Sequence, residues 1–229
     1  MAKRKKVSRK KLLKEPDEFI TTSGKIIQFA MQYKTQLSYA VGIVIALIVL
    51  VAGYRFFSIR SENKALALWD LAVAKYETSI NTQDAIEAYR GVSEDFHLIL
   101  DRYRNTAGGK LARVTFANIC FNAGEYNQAI KLYEESLKNF EHHPMIYNLI
   151  LSGLGYANEQ LNENQRAVAY FEKIAASEGQ VLHDEALFKL GVLYDKLGER
   201  EKREKAFNQI TSDFPDSMYI DIVKERPAG

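Results

Sequence analysis

The residues most able to do chemistry are few in this chain. It has one cysteine, Cys120, and four histidines: His97, His142, His143 and His183. None of the histidines pairs with a cysteine or a carboxylate at the spacing of a metal site. The sequence has neither a phosphate-binding glycine loop nor a dinucleotide-binding glycine motif. We therefore predict a protein that is not an enzyme and that needs no cofactor or metal ion.

A structural role is the better interpretation of these residues. His142 and His143 precede Pro144, where a solvated turn is expected. Cys120 stands at a large-residue position of a helical pattern, which predicts a buried packing residue rather than a nucleophile. A single cysteine cannot form an internal disulfide, which is compatible with an oxidising compartment.

The charges are segregated along the 229 residues, although the formal net charge is only +2. Residues 1–34 hold ten lysines and arginines against three carboxylates, a charge of +7. The remaining chain holds 21 basic and 26 acidic residues, a charge of −5. The near-neutral total therefore combines a basic amino-terminal segment with an acidic remainder.

An uncharged run separates these two parts. Residues 35–54 carry no charge, and Tyr39 and Tyr54 lie near its ends, where aromatic rings prefer the membrane interface. Twenty helical residues span about 30 Å, the thickness of a bilayer core. We predict a single transmembrane helix over residues 35–57, in contact with lipid. A buried helix of a globular domain is the less favoured alternative.

The flanking charges predict the orientation of this helix. Lysine and arginine are concentrated before it, so the amino terminus is expected in the cytoplasm and the rest of the chain across the membrane. A cleaved signal peptide is an alternative, because residues 51–53 offer a small-residue cleavage site. The long basic region and long apolar run favour an uncleaved signal-anchor.

The first 34 residues are predicted to form a basic cytoplasmic tail with an amphipathic helix. Lysines and arginines before residue 15 suit anionic lipid headgroups. No aromatic residues are interleaved with them, so we predict no nucleic-acid binding. Residues 19–31 have apolar side chains at helical spacing, which predicts a helix at the cytoplasmic interface. A flexible linker is the alternative.

The remaining chain contains four copies of one spacing. A large residue is followed 20 residues later by an aromatic one, and three copies also have an alanine 16 residues after the first. The pairs are Trp69 and Tyr89, Arg113 and Tyr133, Leu151 and Phe171, and Leu187 and Phe207. Small residues such as Gly155 and Gly191 would let paired helices approach closely. The longer gap after the first copy predicts an insertion, with a loop at residues 105–109.

This spacing resembles the tetratricopeptide repeat, in which two helices pack as a pair and pairs stack into a solenoid. The predicted fold is all-α, with the single transmembrane helix followed by a solenoid of about four helix pairs. The solenoid would occupy residues 58–217, before a carboxy-terminal tail over 218–229. No proline or glycine lies between Tyr54 and Thr78, so the membrane helix is predicted to continue into the first repeat, close to the membrane surface.

The resemblance also implies a binding surface, because the first helix of each pair lines the concave side of the solenoid. The predicted groove residues are Val114, Asn118, Phe121, Ser152, Tyr156, Glu159, Phe188, Val192 and Asp195. Their aromatic, apolar and acidic character suits extended or partly unfolded chains. Capture of a ligand's carboxy-terminal carboxylate is disfavoured, because that mode uses a cluster of lysines and asparagines in the groove. Among the predicted groove residues, Asn118 is almost alone in being of this type. Alternatively, the next repeat or the tail covers some of these side chains.

The whole architecture is similar to that of the YfgM-type ancillary subunits of the bacterial Sec translocon. That resemblance implies a protein of the bacterial inner membrane with a periplasmic solenoid. Its partners would be the translocon, periplasmic chaperones and unfolded client chains, and it would hand secreted chains to the chaperones. A structural scaffold of a cell-envelope assembly complex is the alternative function.

Overall fold

The computed structural model describes residues 18–177 and 179–225, with side chains from residue 24 onward. The predicted basic tail before residue 18 lies outside this part. The described residues form helices joined by turns, with no strand among them. In chain order, the helices are α1 Glu18–Gln32, α2 Lys34–Ile80, α3 Ala85–Tyr103, α4 Ala107–Asn122, α5 Tyr126–Leu137, α6 Pro144–Gln160, α7 Asn164–Ala175, α8 His183–Lys196, α9 Arg200–Asp213 and α10 Ile220–Lys224.

The chain divides into two compact units, residues 1–58 and 59–229. In the first unit, α1 and α2 are separated by Tyr33 alone. Its amide donates to the carbonyl oxygen of Phe29, and its own carbonyl accepts from the amide of Leu37, so helical hydrogen bonding passes through this residue. The structure therefore has a helix where a flexible linker was the alternative.

Helix α2 is 47 residues long and runs without a break through the predicted membrane span and into the first repeat. Among the described residues, it is the one helix long and apolar enough to cross a bilayer, and none of its most apolar 18-residue window is buried. The absence of glycine and proline after Gly53 explains why the helix does not end there. The predicted continuity is present in the structure.

The second unit contains the four predicted helix pairs. The carboxy-terminal part of α2 pairs with α3 through a shared core that includes Ala72, Val92 and Phe96. After it, α4 pairs with α5, α6 with α7, and α8 with α9, and the successive helices from α3 to α10 pack against one another. The first pair is linked at its surface by Lys75, whose Nζ lies 2.7 Å from Asp95 Oδ2. The fold is thus an all-α, tetratricopeptide-like solenoid.

The turns inside the last three pairs share one geometry. Gly124 and Gly198 have φ of 81° and 76°, and Asn162 takes the same left-handed conformation with φ 61°. In each turn, the amide of the following glutamate donates to the carbonyl five residues earlier, at 2.8–2.9 Å. This pattern ends a helix and satisfies its free carbonyl groups. The sequence repeat is therefore also a repeat of backbone geometry.

Small residues set the approach of paired helices. A Cβ atom added at Gly155 would overlap the ring of Phe171, and one added at Gly191 would overlap the ring of Phe207. Both rings are buried in the solenoid core. Each glycine and aromatic therefore form one packing unit, as their spacing predicts.

The loop predicted at residues 105–109 is present at Asn105 and Thr106, in the turn between α3 and α4, and is wrong over residues 107–109. Residues 107–109 form the first turn of α4, and the extra length lies in α3, which has 19 residues against 12 in α5. Gly108 is needed for packing, because a Cβ atom there would meet the backbone of Ala65 and Leu66. The Glu62 carboxylate accepts the amide hydrogens of Ala107 and Gly108 at 2.8 and 2.7 Å, which caps α4.

The core runs along the solenoid as contiguous clusters of buried side chains. Phe96 and Phe116 stack with ring centroids 5.0 Å apart, and Cys120 is fully buried in the same cluster. Burial raises the pKa of the Cys120 thiol to about 12, so it stays protonated at neutral pH. Cys120 is thus a buried packing residue, as predicted.

Candidate protein-binding groove

In the second pair, α4 carries three of the predicted groove residues, in three different settings. Val114 is half-buried against the core, and Asn118 is exposed. The Asn118 Oδ1 accepts a hydrogen bond from Tyr133 Oη at 2.5 Å. Phe121 is half-buried, and its ring meets that of Tyr126 edge-on at 5.4 Å. Asn118 and Phe121 are therefore positioned by α5 while remaining accessible.

In the third pair, α6 places Tyr156 and Glu159 against α8. Tyr156 Oη donates to Glu185 Oε1 at 2.6 Å. Lys189 Nζ lies 4.9 Å from the centre of the Tyr156 ring and 2.5 Å from Glu159 Oε2. Lys196 Nζ lies 2.7 Å from Glu159 Oε1. These five residues form one network, called here the α6–α8 network.

The network shifts the ionisation of its members. Burial alone would raise the pKa of Glu159, but hydrogen bonds and charge from Lys189 and Lys196 hold it below its ordinary value. Burial and the hydrogen bond to Glu185 raise the pKa of Tyr156, so its hydroxyl remains a donor. The network therefore presents paired charges to a ligand rather than a net charge.

The four remaining predicted residues are buried, half-buried or paired with another side chain. Ser152 is buried. Phe188 stacks on Tyr219, with ring centroids 4.4 Å apart. Asp195 is exposed, and its Oδ1 lies 2.6 Å from an Arg203 guanidinium nitrogen. Val192 is half-buried. The groove residues of α8 thus match those of α4 in exposure, with two half-buried residues and one exposed residue on each helix.

The carboxy-terminal segment covers Phe188. Residues 218–225 include α10, and Ile220 and Val223 pack against the core cluster formed by Leu187, Phe207 and Ile210. Within the described residues, this part of the predicted carboxy-terminal tail packs against the last pair. The tail therefore covers the predicted groove residue Phe188, through the stacked ring of Tyr219.

Sequence reasoning missed Glu185, Lys189 and Lys196. They lie four and then seven residues apart, which places them along one face of α8. That spacing was available in the sequence. Their pairing with α6 was not, because it depends on how closely the third and fourth pairs approach. Among the described residues, no group of three histidine, cysteine or acidic side chains could hold a metal ion.

Comparisons with known proteins agree with this geometry. Residues 185–217, the fourth pair, match the family model described as Tetratricopeptide repeat. This chain contains a tetratricopeptide repeat. No curated protein sequence matches the chain.

Solved structures with the tetratricopeptide-like fold include a tetratricopeptide repeat protein from Parabacteroides merdae. It is 15% identical with a TM-score of 0.55, over 69% of this chain and 58% of that one. This chain therefore spans little more than half of that neighbour. MamA (21% identity, TM-score 0.47, 56% of this chain and 70% of that one) and BtubC from P. vanneervenii (18%, 0.48, 86% and 91%) are also similar. The first likeness supports the fold alone.

Proposed function

We propose that this protein is a membrane-anchored tetratricopeptide-repeat protein that mediates protein–protein interactions. The observation that carries the proposal is helix α2, whose exposed apolar stretch leads without a break into a repeat solenoid. Tetratricopeptide repeats are protein-interaction folds, so protein partners are the general expectation. Exposed apolar side chains over this length are costly in water and favourable in lipid.

The anchor is proposed to be a single-pass span over residues 35–57 of a bacterial inner membrane. The excess of lysine and arginine before it supports a cytoplasmic amino terminus and a periplasmic solenoid. Helix α1 supports interfacial contact on the cytoplasmic side, because Ile26, Ile27 and Met31 are exposed.

The proposed ligand of the groove is an extended or partly unfolded polypeptide. Asn118 is exposed and offers amide chemistry to a peptide backbone, and Phe121 adds a partly open aromatic surface. The α6–α8 network offers paired charges and the Tyr156 ring next along the solenoid. On this basis, we propose an ancillary role at the translocon, in which exported chains are received and passed to periplasmic chaperones.

Groove substitution tests this assignment. The full-length protein in nanodiscs is titrated with a labelled unfolded polypeptide, and Phe121→Ala with Tyr156→Ala should weaken binding by about tenfold. The control is Ile86→Ala with Leu98→Ala, two exposed apolar residues on α3. Unchanged binding by the groove variant would show that the groove assignment is wrong.

A scaffold of an envelope assembly complex is the second candidate. The observation that favours it is the amount of internal pairing: Glu159 is held by two lysines, and Phe188 is covered by Tyr219. A surface whose charges are already paired suits a folded partner of fixed shape more than unfolded chains of varying sequence. Stoichiometric co-purification with one complex, without affinity for unfolded chains, would support this function instead.

A further inference from the structure

The repeats allow one junction between helix pairs to be compared with the next. Tyr170 and Ala206 occupy the same position in two helix pairs. Each directly precedes the aromatic residue that ends the 20-residue spacing, Phe171 and Phe207 respectively. Tyr170 is half-buried against two core clusters, and its Oη donates to Glu134 at 3.4 Å. A tyrosine ring therefore fills the outer junction between the second and third pairs, and alanine stands at the same position in the fourth.

A second position changes in the same way. Leu137 and Ala175 each lie four residues after the aromatic of the preceding pair. Leu137 packs against the same two core clusters as Tyr170. The junction between the third and fourth pairs thus replaces both a tyrosine and a leucine by alanine.

The space left by these replacements is a cavity of about 420 Å³ between α7, α8 and α9. Leu187, Leu190, Ala175 and Ala206 form its apolar lining. It lies apart from the concave groove, since none of the predicted groove residues lines it. The cavity is large enough for a side chain of the size of Tyr170, with room for part of a backbone.

The polar residues of the cavity are arranged at its edge. Tyr194 Oη donates to Glu172 Oε1 at 2.6 Å, so that carboxylate already has a partner. Lys202 Nζ lies 5.2 Å from the Tyr194 ring centre and forms an ion pair with Glu199. Lys205 is exposed at the edge and makes no ion pair with any described residue. The edge thus has an unpaired positive charge above an apolar floor.

We propose that this cavity binds an aromatic side chain from an acidic segment of a partner protein. The ring would occupy the space that Tyr170 fills one junction earlier, and acidic residues beside it would meet Lys205 and Lys202. Burial of the ring supplies the affinity, and the lysines select the charge of the segment. The site is separate from the concave groove and does not depend on its function.

The test uses full-length protein in nanodiscs and fluorescence anisotropy. The probe is a labelled peptide with one tyrosine flanked by aspartates, compared with peptides in which alanine replaces the tyrosine or lysines replace the aspartates. Wild type should bind the first peptide about tenfold more tightly than the other two. Equal affinity for the tyrosine and alanine peptides, including no binding of either, would overturn the proposal.

Matched variants locate the site. Ala206→Tyr should fill the cavity from within and weaken binding at least about tenfold, and Ala67→Tyr, the same change at an exposed site on α2, should not. Full binding by Ala206→Tyr would overturn the proposal. If that variant loses its helical circular dichroism, Lys205→Glu decides: several-fold weaker binding supports the site, and unchanged binding overturns it. Phe121→Ala with Tyr156→Ala should bind this peptide normally, which separates the cavity from the groove.

Discussion

At the residue scale, Glu159 shows how the third and fourth pairs are joined. Its side chain is 11% exposed and its carboxylate accepts two lysines, of which the Lys189 side chain is itself 15% exposed. A carboxylate so enclosed is stable only while both partners remain. The contact between α6 and α8 therefore includes a paired buried charge beside the apolar core that Leu151 and Leu190 share.

Replacement of this charge should weaken the solenoid. Glu159→Gln is expected to lower the free energy of unfolding by about 1–2 kcal/mol, because the two lysines lose their negative partner and one of its two acceptor oxygens while the volume is kept. Thermal unfolding followed by circular dichroism in detergent micelles measures the change. Glu94→Gln, at an exposed glutamate of α3, is the control. A melting temperature equal to that of the control would contradict the role given to Glu159.

The lowered pKa of Glu159 predicts that the stability of the protein depends on pH. The folded-state pKa of Glu159 is lowered, so its stabilisation is fully present above the unfolded-state value, about 4.3, and is lost as pH falls through the folded-state pKa. The difference in melting temperature between wild type and Glu159→Gln should therefore be largest near pH 7 and shrink below about pH 4. A difference that grows on acidification would show that the sign is wrong.

At the element scale, the close approach of the two helices in a pair depends on a glycine of one helix that packs against an aromatic ring of the other. Gly191→Ala should destabilise the protein by about 1–3 kcal/mol, because the new methyl group overlaps the buried Phe207 ring. Gly91→Ala is the control, since Gly91 lies within α3 with nothing near its Cβ position. Better helix propensity should make that control neutral or more stable by up to about 1 kcal/mol. Similar melting temperatures for the two variants would contradict the packing argument.

These elements were largely predictable from sequence, for reasons visible in particular residues. The 20-residue spacing predicted four pairs because the first and last residues of three copies, such as Leu187 and Phe207, pack in the same core. The loop predicted over residues 107–109 is wrong, because Gly108 and Gly109 resemble a turn in the sequence. Instead, Gly108 lets α4 approach α2, Gly109 lies against the end of α3 at Tyr103, and Glu62 caps α4 from 45 residues away. A contact over that sequence distance has no local signal.

The continuity of α2 gives a prediction at the same scale. Amides at residues 58–66 should exchange slowly with solvent deuterium, because they are hydrogen-bonded within an unbroken helix. The amide of Asn105, in the short turn between α3 and α4, should exchange fast and serves as the internal reference. Mass spectrometry of nanodisc-embedded protein measures both. Equal, rapid exchange in the two segments would show that α2 is broken.

At the scale of the whole molecule, the separated charges predict topology. Cysteines introduced by Ser8→Cys and Glu225→Cys report the two ends, and buried, protonated Cys120 should give little background. In intact bacterial cells, a membrane-impermeant maleimide should label position 225 and reach position 8 only after permeabilisation. The reverse pattern would contradict the proposed orientation.

We propose that the solenoid engages other proteins through its groove. The most direct measurement is photo-crosslinking in intact cells, with a photoreactive phenylalanine analogue at position 121 and, as control, at position 86 on α3. We expect light-dependent adducts with translocon subunits or exported chains from position 121 and none of these from position 86. The same adducts from both positions, or none from position 121, would contradict this proposal.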